Sequence, residues 1–120
     1  MEFRVDEASG VPVFEQLRTQ VIDAVREGTL AAGAKLPTVR GLADELGIAP
    51  NTVAKAYRAL ETDEVIETRG RAGSFVSAHG DTTERHAQLA ATAFADRIHQ
   101  LGVPVDDAIA LVTAALRADR

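Results

Sequence analysis

The first half of the chain alternates between segments of helical periodicity and short glycine-rich breaks. Between Pro12 and Gly28, apolar residues recur three or four positions apart, which is the spacing of one face of an α-helix. These residues are Phe14, Leu17, Val21 and Val25. Because proline favours the start of a helix and glycine its end, we predict a first helix over residues 12–27.

Two further helices are predicted on either side of Gly47. The Thr38 hydroxyl can cap the first, Gly47 suits the left-handed backbone that ends it, and Pro50 suits the start of the next. Their apolar stripes are Val39, Leu42, Ala43 and Leu46 in the first, and Val53, Ala56, Tyr57 and Leu60 in the second. Two helices joined by a tight glycine-containing turn form a helix-turn-helix motif.

The less regular segments around these helices also have predictions. Residues 3–5 are expected to form a short opening strand. The connector at 28–37 is rich in turn residues, and its Leu30 and Leu36 are expected to pack into the core.

After the third helix the pattern becomes that of short strands. Residues 65–69 and 74–77 predict two strands of a hairpin, with the sequence G-R-A-G at 70–73 as its tip. The predicted fold class is therefore mainly α with a small β-hairpin wing, that is, a winged helix-turn-helix.

A polar break at 79–83 divides the predicted domains, a winged helix-turn-helix over 1–80 and a helical-pair tail over 81–120. Asp81 and Glu84 can form a capping box for the first tail helix, which Gly102 ends before Pro104 opens the second. The apolar stripes are Leu89, Phe94, Ile98 and Leu101 in the first helix, and Val105, Ile109, Val112 and Leu116 in the second. Because such a helical pair is too apolar to be left in water, we predict that these eight residues form the interface of a homodimer.

Composition narrows the class of protein. A chain of 120 residues, 46% hydrophobic, can bury one core, and it contains no cysteine for disulfides or thiolate metal sites. It has no apolar run near the roughly 18 residues that span a bilayer and no signal-peptide core, so we predict no membrane partner and a cytoplasmic location. Catalytic motifs are missing and His79, His86 and His99 are scattered, so neither an enzyme nor a metal or other cofactor is expected.

A net charge of −5 at first argues against a nucleic-acid partner. Residues 35–71 contain six basic and six acidic side chains, so a basic surface must come from their segregation in space. The third helix is the candidate reader of base edges, through Pro50, Asn51, Thr52 and Lys55. Asn can pair with adenine, Thr with a base or phosphate, and Lys with guanine or phosphate; the alternative is an ordinary solvated helix face.

Further basic residues complete the candidate DNA-binding set. Arg40 can reach a phosphate or a base, or else form a surface salt bridge to Asp44. At the hairpin tip, Gly70 permits close approach to DNA, and Arg69 and Arg71 suit the minor groove unless the tip is simply a solvated turn. Lys35, Thr38 and Arg58 are assigned to the same set, whereas Phe75 and Phe94 are expected in the core rather than at a ligand.

At this point the chain resembles the GntR family of winged-helix regulators. The resemblance rests on P-V-F-E-Q-L at 12–17, G-T-L-A-A-G at 28–33, L-P-T-V-R at 36–40, L-A-D-E-L-G-I at 42–48, N-T-V-A-K-A-Y at 51–57, L-E at 60–61 and R-G-R-A-G-S-F-V at 69–76. It implies DNA contacts by Arg40, by the start of the third helix and by the glycine at the wing tip.

The departures and the short tail indicate a branch of that family. Many members have Ser or Thr and then Arg where this chain has Ala49 and Pro50, whereas A-P-N-T-V, Tyr57 and the brief tail are similar to the YtrA branch. That resemblance implies dimerisation through the tail and regulation of transporter genes. Any small-molecule effector, of unknown identity, would bind at the dimer interface or between domains.

The sequence thus predicts a bacterial homodimeric repressor of a pseudo-palindromic double-stranded DNA operator. A second hypothesis is a winged helix used for protein–protein contact without specific DNA binding. The acidic net charge and the missing arginine at position 50 favour the second hypothesis, and the first is favoured by Arg40, Asn51, Thr52, Lys55 and Gly70.

Overall fold

A computed structural model describes residues 1–79 and 82–118 and has the predicted fold class. Helices and a single hairpin follow one another along these residues. The helices are α1 (Val13–Glu27), α2 (Val39–Leu46), α3 (Pro50–Thr62), α4 (Thr82–Leu101) and α5 (Val105–Arg117), and the strands are β1 (Ile66–Thr68) and β2 (Ser74–Val76). No helix within these described ranges is long and apolar enough to cross a membrane.

The helix ends lie where the sequence places them. Thr38 caps α2, because its Oγ1 accepts a hydrogen bond from the Gly41 amide at 3.0 Å. Gly47 ends that helix in the left-handed conformation, at φ 67°. Pro50 is the first residue of α3, and Pro12 immediately precedes α1. The turn between α2 and α3 is therefore fixed by local chemistry at both ends.

One hydrophobic core holds the first three helices against the hairpin. Its members include Leu17, Val21, Leu36, Leu42, Val53, Tyr57, Leu60, Ile66 and Val76. Leu36 is buried as predicted, and Leu30 packs against the core while partly exposed. Each element thus contributes its predicted apolar face, which sets the position of α2 and α3.

The predicted opening strand at 3–5 is wrong. Phe3 is buried, but no neighbouring strand pairs with this segment in the described residues. Two glutamine side chains of α1 bind the backbone instead: Gln20 Oε1 accepts from the Arg4 amide at 2.9 Å, and Gln16 Oε1 accepts from the Asp6 amide at 2.8 Å. Side-chain amides therefore meet the hydrogen-bonding needs that a sheet partner would otherwise meet.

The wing is a short antiparallel hairpin with a third segment at its other edge. Ile66 pairs with Val76 across β1 and β2, and a single 3₁₀ turn at Gly70–Ala72 joins the strands. The connector before α2 runs along the far side of β2, where the Gly33 amide donates to the Val76 carbonyl at 2.8 Å. The same connector thus touches the wing and leads directly into α2.

The tail consists of α4 and α5 and extends the molecule. The radius of gyration is 16.6 Å, against about 14 Å for a compact chain of this length. Within the described part of the tail, the exposed large apolar side chains are Leu89, Phe94, Leu101, Val105, Ile109, Leu111 and Leu116. Ile98, which the stripe assigned to the dimer interface, is instead buried in the protomer, as is Ala108. The predicted capping box and part of the 79–83 break lie outside the described residues.

Candidate nucleic-acid interface

The first turn of α2 presents Arg40 to solvent. Arg40 lies two residues after the capping Thr38 and is exposed. Within the described residues no ion pair joins it to Asp44, which was the alternative predicted from the i+4 spacing. Its guanidinium is therefore available to a phosphate or a base.

A buried tyrosine ties this turn to α3. Tyr57 projects from α3 into the core, where only 6% of it is exposed, and its hydroxyl donates to the Pro37 carbonyl at 2.7 Å. Pro37 immediately precedes the cap of α2. The hydrogen bond therefore fixes the segment carrying Thr38 and Arg40 against α3. Burial disfavours the phenolate and raises the pKa of Tyr57 to about 12.

Replacing Tyr57 with phenylalanine should measure the strength of this link. At neutral pH, we expect Tyr57→Phe to lower the free energy of unfolding by about 1 kcal/mol, the net value of one hydrogen bond. The pKa of Tyr57 is raised on folding from its usual value near 10, so this contribution is complete below pH 10 and is lost as the pH rises through 12. In urea denaturation, the difference in unfolding free energy between the wild type and Tyr57→Phe should therefore narrow above pH 10.

This titration has an internal check. Tyr57 is the only tyrosine in the chain, so tyrosinate absorbance reports on it alone. A native-state titration near pH 10, together with an unchanged stability gap at every pH, would contradict the buried hydrogen bond.

The start of α3 offers polar but uncharged groups. Pro50 and Asn51 are exposed and Thr52 is half-buried, on the turn of α3 that follows Ala49. Ala49 provides no side-chain cap to α3. In a helix-turn-helix protein this end of the second helix faces base edges in the major groove. Asn51 and Thr52 are therefore the direct-readout candidates.

Lys55 takes a position that the sequence did not reveal. Its Nζ lies 4.0 Å from the centroid of the Phe14 ring, at the start of α1. This is the geometry of a cation–π contact, and at an exposed site such a contact contributes roughly 0.5–1 kcal/mol to stability. The charge therefore sits at the junction of α1 and α3. Arg58 lies one residue beyond the buried Tyr57 and is exposed.

The two wing arginines differ in their surroundings. Arg69 pairs with Glu67 at 2.8 Å and stacks over the partly buried Phe75, with its guanidinium carbon 4.3 Å from the ring centroid. Arg71 is exposed on the 3₁₀ turn and has no ion pair in the described parts of the chain. Arg71 is therefore the freer candidate for a minor-groove contact, and Gly70, at φ 54°, shapes the tip.

Lys35 also belongs to the wing surface. It forms an antiparallel bridge with Phe75, and its Cε lies 3.1 Å from the point where a Cβ on Gly73 would stand. A side chain at Gly73 would therefore press on the end of the lysine side chain, which would have to shift slightly. Lys35 and the hairpin tip form one continuous surface.

Most acidic residues of this region line one cleft, although one of them, Glu67, is paired with Arg69. A cleft of about 830 Å³ lies between the end of α3, the wing and the start of α4. Four of the six acidic residues of residues 35–71 line this cleft: Glu61, Asp63, Glu64 and Glu67. None of the six basic residues of that range lines it. Arg85 also lines this cleft and Glu67 pairs with Arg69, so the segregation of charge that a neutral composition requires is only partial.

The histidines do not form a site in the described residues. His79 and His86 both line the acidic cleft, whereas His99 lies in the last turn of α4. No group of three metal-ligating side chains is arranged to hold an ion in residues 1–79 and 82–118. Phe94, expected in the core, is 38% exposed in the tail.

Similarity to known proteins agrees with this surface. Residues 13–76 match the model of the bacterial regulatory proteins of the gntR family. The chain is 50% identical over 110 residues to the HTH-type transcriptional regulator Rv1152 of Mycobacterium tuberculosis, covering 92% of this chain and 90% of the relative. It is 42% identical over 81 residues to the HTH-type transcriptional repressor YtrA of Bacillus subtilis, covering 67% of this chain and 62% of YtrA.

A solved structure extends the similarity to the tail. YtrA from Sulfolobus acidocaldarius, a GntR-family transcription factor, superposes with a TM-score of 0.61 and 25% identity, over 95% of this chain and 96% of that one. The match therefore includes α4 and α5 as well as the winged domain. The chain belongs to the GntR family, in its YtrA-like branch, and is a sequence-specific DNA-binding transcription regulator rather than an enzyme.

Proposed function

We propose that the chain acts in the cytoplasm as a homodimeric repressor of a pseudo-palindromic operator, with transporter genes among its targets. The observation that carries the proposal is the row of large apolar side chains left exposed on the tail of a chain with one helix-turn-helix. Val105, Ile109 and Leu116 are 56–80% exposed on α5. Burying them against a second copy removes an apolar surface from water and brings two helix-turn-helix motifs together.

The proposed DNA contacts divide by chemistry. Asn51 and Thr52 read base edges in the major groove, and Arg71 enters the minor groove beside it. Arg40, Lys55 and Arg58 hold the DNA backbone, and for Arg40 a base contact is the alternative. Lys35, Thr38, Pro50, Arg69 and Gly70 complete the contacting surface. Repression is proposed because YtrA of Bacillus subtilis is named a repressor.

Selection from random DNA, combined with sedimentation, tests this proposal. The full chain should sediment as a dimer at micromolar concentration and should recover inverted repeats. We expect half-site centres about one helical turn apart, or a multiple of it, because two-fold symmetric readers span that distance. In gel-shift titrations on the recovered duplex, the logarithm of the affinity should fall linearly with that of the salt concentration.

A scrambled duplex of equal length is the control, and it should bind far more weakly at moderate salt. A full chain that is monomeric at micromolar concentration, or that recovers only unrepeated sites, would contradict the homodimeric proposal.

A further inference from the structure

The joint between the tail and the winged domain is made by specific contacts on one face of α4. Gln88 and Thr92 stand four residues apart, so they share that face. The Gln88 side-chain amide binds the His79 backbone twice: Oε1 accepts from the His79 amide and Nε2 donates to its carbonyl, each at 3.0 Å. One turn later, the Thr92 hydroxyl donates to the Ala32 carbonyl.

Apolar packing closes the same joint. A Cβ added to Gly33 would lie 3.2 Å from Leu89 Cδ2 and 3.4 Å from Thr92 Cγ2, so both side chains lie directly on this glycine. Gly33 adopts φ 83°, which larger residues rarely tolerate. Ala32, beside it, is buried. The helix is thus seated on the connector at a position shaped to receive it.

The connector at 28–37 also binds the wing and α3 through hydrogen bonds. Gly33 and Ala34 bond through their backbones to Val76 of β2, both at 2.8 Å, and Leu36 bonds to Ser74 at 2.9 Å. The next residue, Pro37, accepts the hydrogen bond from Tyr57 of α3. The wing, α2 and α3 therefore form one unit with the residues that hold α4.

We propose that Gln88, which binds the His79 backbone, and Leu89 and Thr92, which pack on Ala32 and Gly33, are positioning residues that set which operator half-site spacing the dimer accepts. The inference rests on the proposed homodimer, since a spacing exists only for paired reading heads. Moving a half-site by one base pair shifts it by about 3.4 Å and turns it by about 35° around the DNA axis, so the bound domain must shift and rotate to follow it. A joint held by three hydrogen bonds and close packing restricts such rotation, whereas a flexible linker would not.

The test uses the full chain and duplexes carrying two copies of the half-site recovered by selection, with centres moved apart or together by one, two and five base pairs. The double variant Gln88→Met with Thr92→Val keeps side-chain size and removes all three hydrogen bonds. Wild type should prefer its own spacing at least tenfold over the one- and two-pair shifts. The double variant should reduce that preference to below threefold, while single half-site affinity and dimerisation change by less than twofold.

Two comparisons make the result specific. Thr92→Ser keeps the hydroxyl and should keep the wild-type preference. Thr19→Val with Gln100→Met makes the same chemical changes at exposed positions and should also keep it. A dimeric, folded double variant with the wild-type preference, or a wild type that accepts all spacings equally, would overturn the inference alone. A monomeric wild type would overturn the proposed homodimer as well.

Discussion

Ile109→Asp should convert the dimer into monomers that retain their fold. Ile109 is 56% exposed in the single chain, so the change costs the protomer little. In the proposed interface it places an unpaired charge in an apolar seam, and two-fold symmetry places it there twice. We expect the dimer dissociation constant to rise by at least about 100-fold, which corresponds to about 2.7 kcal/mol. Operator affinity should fall with it, because one half-site alone holds weakly.

Sedimentation velocity reports the dissociation, and circular dichroism reports the fold. Ala114→Asp is a matched control, since Ala114 is exposed on the same helix and lies about 140° around it from Ile109. It should remain dimeric and bind the operator normally. If Ile109→Asp remained dimeric at the wild-type dissociation constant, α5 would not be the interface.

Arg40→Ala should have the opposite profile, with dimerisation intact and DNA binding impaired. Arg40 is exposed and has no ion pair in the described parts of the chain, so its loss should change stability by less than about 0.5 kcal/mol. If it contacts a phosphate, affinity falls on every sequence and the salt slope flattens by about one unit. If it contacts a base, the cost is about 1–3 kcal/mol and one operator position loses its preference.

Gel shifts on the selected operator and on single-position variants separate these two outcomes. Arg26→Ala removes an equal charge at the end of α1, away from the predicted interface, and serves as the control. Unchanged operator affinity and salt dependence in Arg40→Ala would mean that the start of α2 does not face DNA.

The helices were predictable because their ends are encoded by single residues. Thr38, Gly47 and Pro50 each act within one turn of their own backbone, so the sequence positions them without knowledge of the tertiary structure. The strand predicted at residues 3–5 was wrong for the opposite reason. Phe3 is of a residue type that is common in strands, but a strand needs a hydrogen-bonding partner. Here Gln16 and Gln20 bind the backbone in place of a partner strand.

Side-chain pairings across elements could not be predicted. Lys55 meets Phe14 from 41 positions away, and nothing in the spacing of α3 signals that contact. Arg69 has the charge and the position expected of a DNA contact, yet Phe75 and Glu67 hold its guanidinium against the wing. In both cases the sequence identified the charge correctly but not the direction in which it points.

In the tail, periodicity could not show which apolar residues the protomer itself covers. Ile98 belongs to the predicted interface stripe but is buried within the protomer. Leu111 lies outside the stripe and is 58% exposed. A repeat of three and four identifies the apolar side of each helix, but not which part of that side the other helix of the same hairpin covers.

The uncharged start of α3 has a consequence for how such regulators diverge. Asn51 and Thr52 carry no charge, whereas Arg40, Lys55 and Arg58, which are proposed to hold the DNA backbone, are exposed and charged. Electrostatic attraction governs how long a regulator stays on arbitrary chromosomal DNA while it searches, and neutral donors contribute little to it. Duplicated copies of the gene could therefore acquire new target sequences through positions 51 and 52 without altering their search times or the cellular concentration needed to occupy a site.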